Sequence, residues 1–115
     1  MEKYLFVGEE RSPTAIKMDV TWRDKRLCAG HLSKAVESLG VKWCQCAFLN
    51  VYEDNIEDIK SFEGPVIGMG RKVERVLKNN DIDHSFIYHP ATRGEVRNID
   101  KYCNHFKNNL NHIIN

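Results

Sequence analysis

The sequence has no apolar run near the roughly 18 residues of a membrane span, and its start carries no signal-peptide pattern. These absences predict a soluble, cytoplasmic chain with no membrane partner. Cysteines are few: Cys28, Cys44, Cys46 and Cys103, with no CxxC pair among them. That spacing argues against a disulfide framework and against a metal or iron–sulfur site, and for reduced, mostly buried thiols. Cys44 and Cys46, two apart, would share one face of a strand. The phosphate-binding GxxxxGK[ST] loop and the GxGxxG fingerprint are both missing, which removes the two commonest nucleotide-binding signatures. No internal repeat or low-complexity linker interrupts the chain.

What is present is a chain of 115 residues, 42% hydrophobic and 29% charged, with a formal net charge of +1. The length suits one domain spanning residues 1–115, and the apolar fraction supports one modest core. Charge is uneven. Residues 1–64 carry 9 Lys/Arg against 11 Asp/Glu, a net of −2, and residues 65–115 carry 8 against 5, a net of +3. This balance lacks the basic stripe of a dedicated nucleic-acid binder, so any such contact has to be local and salt-sensitive.

Apolar spacing predicts the elements. Residues 4–7 form a short apolar run stopped by Gly8, which reads as a buried strand. A polar loop is expected from residue 9 to about 27. Leu32, Ala35, Val36 and Leu39 recur at helical spacing before Gly40. Residues 43–51 read as a second strand, 56–62 as a short helix closed by Gly64 and Pro65, and 66–69 as a third strand ended by Gly70. A helix over 71–78 carries Val73, Val76 and Leu77 on one face, and a fourth strand occupies 85–88. The last helix is expected to start near Asn98 or Asp100, either of which can cap it, and to run through Tyr102, Phe106, Leu110 and Ile113. Strand and helix thus alternate four times. That order predicts an α/β fold, a three-layer α/β/α sandwich on a four-stranded parallel sheet.

Ligands of open α/β sheets bind beyond the carboxyl ends of the strands. After the first strand stand Gly8, Glu9, Glu10, Arg11 and Ser12. Asn50 closes the second strand. Gly70, Arg71 and Lys72 follow the third, and His89, Pro90, Thr92, Arg93 and Gly94 follow the fourth. A carboxylate, an amide and an imidazole are therefore expected on one edge, a small-ligand site with acid/base capability. Plainer roles are open for each: a loop carboxylate for Glu9 or Glu10, a turn residue for Asn50, an exposed loop histidine for His89, a tight strand-to-helix turn at Gly70-Arg71-Lys72.

The segments FVGEERSPTA, FLNVYE, PVIGMGRKVERVL and IYHPATRG, in this order, resemble the uracil-DNA glycosylase superfamily. That family has a parallel four-stranded α/β/α sandwich. A water-activating motif follows its first strand, a base-reading Asn its second, and a His-Pro-Ser-like motif its fourth. The similarity runs from about Phe6 to Lys107.

The resemblance implies hydrolysis of an N-glycosidic bond, with uracil or a related pyrimidine in DNA as the substrate. Positive charge grows on the sugar and negative charge on the departing base. Glu10, with Glu9 as a substitute, is implied as the carboxylate that orients water and opposes the sugar cation. His89 is implied as the donor to the base carbonyl, a role worth ~2.7–4 kcal/mol in comparable sites. Asn50 is implied to read the base edge, since an amide offers both a donor and an acceptor, and Gly8 is implied as a further base-binding residue. Trp22 or Leu27 takes the place of the aromatic that stacks on the base. Ser12, Arg71, Arg93 and Arg97 are the implied DNA or phosphate contacts, with Thr92, Arg93 and Gly94 forming the loop that enters DNA.

Arg11 replaces the family's Pro, and no Tyr stands beside the first motif to exclude a 5-methyl group, which implies a pocket open to 5-substituted uracils. No cofactor is implied, because the paired cysteines of the iron–sulfur branches are missing. Two other readings share the residues: an N-glycosidase of free pyrimidine nucleotides, and a non-catalytic module that binds a nucleotide, nucleic acid or a protein partner.

Overall fold

Leu5, Phe6 and Val7 are fully buried, which a strand can only achieve with neighbours on both edges and cover on both faces. The computed structural model, which describes residues 2–25, 28–90 and 98–114, provides those neighbours. Strand β1 (Tyr4–Gly8) pairs in parallel with β2 (Cys46–Asn50) on one side and with β3 (Val66–Met69) on the other; β4 (Ser85–Ile87) pairs in parallel with β3. The order across the sheet is β2-β1-β3-β4. Parallel neighbours need crossovers, and helices supply them: α1 (Pro13–Met18) and α2 (Cys28–Ser38) between β1 and β2, α3 (Ile56–Lys60) between β2 and β3, and α4 (Arg71–Asn79) between β3 and β4, while α5 (Ile99–Ile114) follows the last strand. The fold is mixed α/β on an all-parallel four-stranded sheet, compatible with an α/β/α sandwich. Among the described residues no helix is long and apolar enough to cross a membrane.

Backbone contacts divide the chain into two compact units, Met1–Glu10 with Cys44–Tyr88 and Arg11–Trp43 with His89–Asn115. The first holds the sheet with α3 and α4. Leu5, Val7 and Val66 share one sheet face by register, and Ile59 of α3, Val73 and Leu77 of α4, and Ile82 join them in one apolar cluster. Each such fully buried side chain contributes roughly 1.5–3 kcal/mol. Gly68 lies under Leu77, whose Cδ1 would stand 3.0 Å from a Cβ there. On the opposite face Phe6 stacks on Phe48 with ring centroids 6.0 Å apart, and Ile67, Met69 and Ile87 are buried.

In the second unit α2 packs against α5. Their buried positions, Leu32, Ala35 and Val36 on α2 and Tyr102, Phe106 and Leu110 on α5, recur at three- and four-residue spacing, so each helix presents one apolar stripe. The side chain of Asn98 caps α5, accepting from the Asp100 N–H at 2.9 Å. Half-buried His105 on the same helix has its pKa lowered from 6.5 by desolvation. The folded state therefore takes up this proton less readily than the unfolded chain, and stability falls as pH drops below about 6.5 toward the lowered value. We expect the loss of Tm between pH 7.5 and 5 to be smaller in His105→Gln than in wild type, by thermal melts across that range.

Three expectations are corrected. The stretch expected as loop holds α1 and a 3₁₀ turn at Trp22–Asp24, because the Ser12 side chain caps α1 by accepting from the Ala15 N–H and the Thr21 N–H donates to Asp24 Oδ2 at 2.7 Å. The second strand starts at Cys46, since Trp43–Gln45 is a 3₁₀ turn anchored by the Trp43 indole, whose Nε1–H donates to the Arg23 carbonyl at 3.3 Å. As a result Cys44 lies outside the strand and is exposed while Cys46 is buried, so the two share no face. Cys103 is half-buried, and burial raises its thiol pKa.

Candidate functional site

The chain passes from β1 outward to β2, then returns across β1 to β3 and β4. The strand order therefore reverses between β1 and β3, and the crevice outside their carboxyl ends is where open α/β sheets receive ligands. At that edge the first unit gathers Gly8 at the end of β1 with Glu9 and Glu10 after it, Asn50 at the end of β2, and Gly70, Arg71 and Lys72 after β3.

Gly8 and Asn50 are direct partners in the ladder. Gly8 is buried and has no side chain, which leaves the place beside Asn50 on that face of the strand pair without one. Asn50 is one of two buried polar residues among those described, at 8% exposure. The turn that follows it holds it through both backbone and side chain. Its backbone N–H donates to Asp54 Oδ2 at 2.7 Å, its carbonyl accepts from the Asp54 N–H at 2.8 Å, and its side-chain Nδ2 donates to Glu53 Oε1 at 2.9 Å. An ionised carboxylate only accepts, so Glu53 fixes which end of the amide is nitrogen. The Asn50 side chain is thus buried, oriented and set beside a glycine.

Glu9 is half-buried, and its Oε1 lies 3.9 Å from Lys72 Nζ, spanning the β1 and β3 ends. Its carbonyl accepts from the Tyr52 N–H at 3.0 Å, which ties the β1 end to the turn after Asn50. Glu10 is exposed. Gly70 precedes α4 at φ 96°, a conformation that favours glycine, and its N–H donates to the Ile87 carbonyl at 2.9 Å. Arg71 opens α4 with its guanidinium 4.5 Å from the centre of the Phe86 ring and Nη1 3.5 Å from Glu74 Oε1.

In the second unit the structure brings together two predicted residues that are far apart in sequence. The rings of Trp22 and His89 meet edge to face, 5.7 Å apart and at 61°. Ser12, expected as a phosphate contact, is the N-cap of α1, its Oγ accepting from the Ala15 N–H at 3.1 Å. Ser12→Ala is expected to lower stability by about 1 kcal/mol, read as a lower midpoint in urea unfolding. Leu27, Thr92, Arg93, Gly94 and Arg97 lie outside the described residues.

Sequence reasoning missed Glu53 and Asp54, whose roles depend on the turn after β2; two acidic residues three and four places beyond an Asn are the signal that was there to find. It also missed His84, which is nearly buried at 12% side-chain exposure and sits 3.8 Å from Glu74 Oε2 through Nε2. Its Nδ1 lies 2.8 Å from the Ile82 carbonyl, so Nδ1 carries the proton and donates there. Comparison of the chain with protein-family models, with curated proteins and with solved structures finds no match.

Proposed function

We propose that this protein is a hydrolase that cleaves the N-glycosidic bond of uracil or a related, 5-substituted pyrimidine in DNA. The observation that carries the reading is the Gly8–Asn50 pair: a buried amide of fixed orientation at the carboxyl end of β2, next to a strand end that continues into Glu9 and Glu10. The resemblance to the uracil-DNA glycosylases calls for a parallel four-stranded sheet with an acidic motif after β1 and an Asn at the end of β2, and all three features are present.

The chemistry follows from where charge develops. As the bond to the base lengthens, the sugar turns cationic and a carboxylate near it lowers the barrier. Glu10 takes that role and orients the attacking water, with Glu9 as its substitute. The Asn50 amide offers an acceptor to a ring N–H and a donor to a ring carbonyl, the pattern of a uracil-type edge. The resemblance alone assigns His89 as donor to the carbonyl that becomes anionic and Trp22 as the apolar surface for the base. A base in duplex must first leave the stack at a cost of a few kcal/mol, so single-stranded DNA is the easier substrate.

One observation favours a second reading. Glu10 is exposed, which suits nucleotide binding without hydrolysis as well as it suits water activation. Base release decides between them. Oligonucleotides with one uracil, single-stranded and duplex, are incubated with wild type, Asn50→Ala and His89→Ala and then treated with alkali. Strand cleavage by wild type that both substitutions abolish is the expected result. Folded wild type that cleaves neither uracil nor a 5-substituted uracil overturns it. Release from free deoxyuridine monophosphate but not from DNA moves the substrate to the nucleotide.

A further inference from the structure

The overall charge balance conceals a local concentration. Over α4 (Arg71–Asn79) four of the nine residues are Lys or Arg and one is Glu, a net of +3 in a chain whose total is +1. Helical geometry arranges these cations: Arg71, Arg75 and Lys78 stand at i, i+4 and i+7, one above another along a single face, with Lys72 at its flank. All four are exposed, and Val73 and Leu77 on the opposite side are buried in the core. Each residue rises about 1.5 Å, so the three stacked cations span about 10 Å. The carboxylates near this helix include Glu74, half-buried and turned to Arg71 and His84, and Glu9, 3.9 Å from Lys72. Just past the helix end stand exposed Asp81, whose N–H donates to the Lys78 carbonyl at 3.1 Å, and exposed Asp83. None of the four forms an ion pair with Arg75 or Lys78 among the described residues.

We propose that this face of α4 is the track on which the DNA backbone lies. The inference deepens the glycosylase reading and rests on it for the choice of DNA as the polyanion. Charge complementarity selects a phosphate chain. The stripe offers repeated point charges and no exposed apolar side chain, whereas a helix that lies on a membrane needs an apolar face to insert, and that of α4 is already buried against the sheet. Its position fits the same substrate. α4 begins directly after the carboxyl end of β3, at the edge that holds Gly8 and Asn50, and runs back along the sheet from there. A strand following the stripe therefore reaches the edge where its base would be read.

Each Lys or Arg on a phosphate releases counterions, so the salt dependence of binding counts the contacts. The test is polarisation of labelled oligonucleotides without uracil, single-stranded and duplex, titrated across 50–200 mM salt. Wild type is compared with Arg75→Gln/Lys78→Gln and with Lys60→Gln on α3 as the control. The double variant is expected to bind at least about tenfold more weakly at the lowest salt. Its slope of log affinity against log salt becomes shallower by about 1.8 for duplex and about 1.4 for single strands. Lys60→Gln behaves as wild type.

An unchanged slope in the double variant, or wild type that does not bind DNA, overturns the inference. So does binding to phosphatidylserine–phosphatidylcholine vesicles that depends on the pair while DNA binding does not. Base release is read separately on the same proteins. An active enzyme whose DNA affinity ignores Arg75 and Lys78 removes the track and keeps the reaction. An inactive protein whose slope falls in the double variant keeps the track and removes the reaction.

Discussion

Asn50→Ala is expected to reduce base release by about 10²–10³-fold, because it removes both hydrogen bonds that read the edge of the base. The loss should far exceed the loss of stability. Backbone groups of Asn50 bond to Asp54 Oδ2 and accept from the Asp54 and Glu53 N–H groups, and these bonds survive truncation of the side chain. The 2.9 Å side-chain bond to Glu53 goes, at a cost of about 1–2 kcal/mol. Folded protein without activity is therefore the predicted outcome, measured by initial rates beside a urea melt.

Glu53→Gln sharpens the argument. A glutamine can both donate and accept, so it no longer dictates which way the Asn50 amide points. Release of uracil should fall modestly, on the order of fivefold, a loss of about 1 kcal/mol in the transition state. Discrimination against cytosine, whose edge reverses the donor and the acceptor, should weaken with it. A variant that keeps the full ratio of uracil to cytosine release would show that Glu53 does not orient the amide.

Gly64→Ala is expected to be the most damaging small substitution outside the site. Gly64 has φ 150°, and a Cβ there would stand 2.7 Å from the Lys3 carbonyl oxygen and 3.0 Å from Phe62 Cε2. The oxygen belongs to the backbone entering β1, and the next residue but one is already fixed, the Leu5 N–H donating to the Pro65 carbonyl at 3.0 Å. Relief must therefore move the junction of β1 and β3 at the centre of the sheet. Dihedral strain and overpacking together suggest roughly 3 kcal/mol, equivalent to a Tm lower by about 10 °C or more. Gly40→Ala separates the two causes. Gly40 also has positive φ, 80°, but nothing lies within 4 Å of its added Cβ, so only the strain of about 1 kcal/mol remains. Equal losses at the two positions would show that the close approach to Lys3 costs nothing.

The elements that could be read in the sequence are those with punctuation at both ends. Gly64-Pro65 and Gly70 bracket β3, whose four residues were placed without error, and α4 follows with Val73 and Leu77 at the spacing of a buried face. What escaped depends on contacts across the chain. Trp43 reads as strand because it is apolar and aromatic, yet its backbone is turned so that the indole reaches Arg23, twenty residues earlier. α1 has only Ala15 buried and leaves Ile16 and Met18 exposed, so no apolar period marks it, and only the Ser12-Pro13 cap gives it away.

The candidate site divides in the same manner. Gly8, Glu9, Asn50 and Arg71 were legible because strand ends position them. The clamp of Glu53 and Asp54 on Asn50, the meeting of Trp22 with His89, and the stacking of Arg71 on Phe86 are geometric facts with no periodic signature. Composition could not show the basic face of α4 either, since acidic residues elsewhere cancel it in the total.

The most direct test of the central claim is to measure the liberated base itself. Wild type is incubated with a single-stranded oligonucleotide carrying one uracil, and the small-molecule fraction is analysed by mass spectrometry, with Asn50→Ala as the comparison. Free uracil in amounts matching the abasic strand, absent with the variant, is the predicted result. An intact oligonucleotide and no free base, from protein shown to be folded, would contradict it.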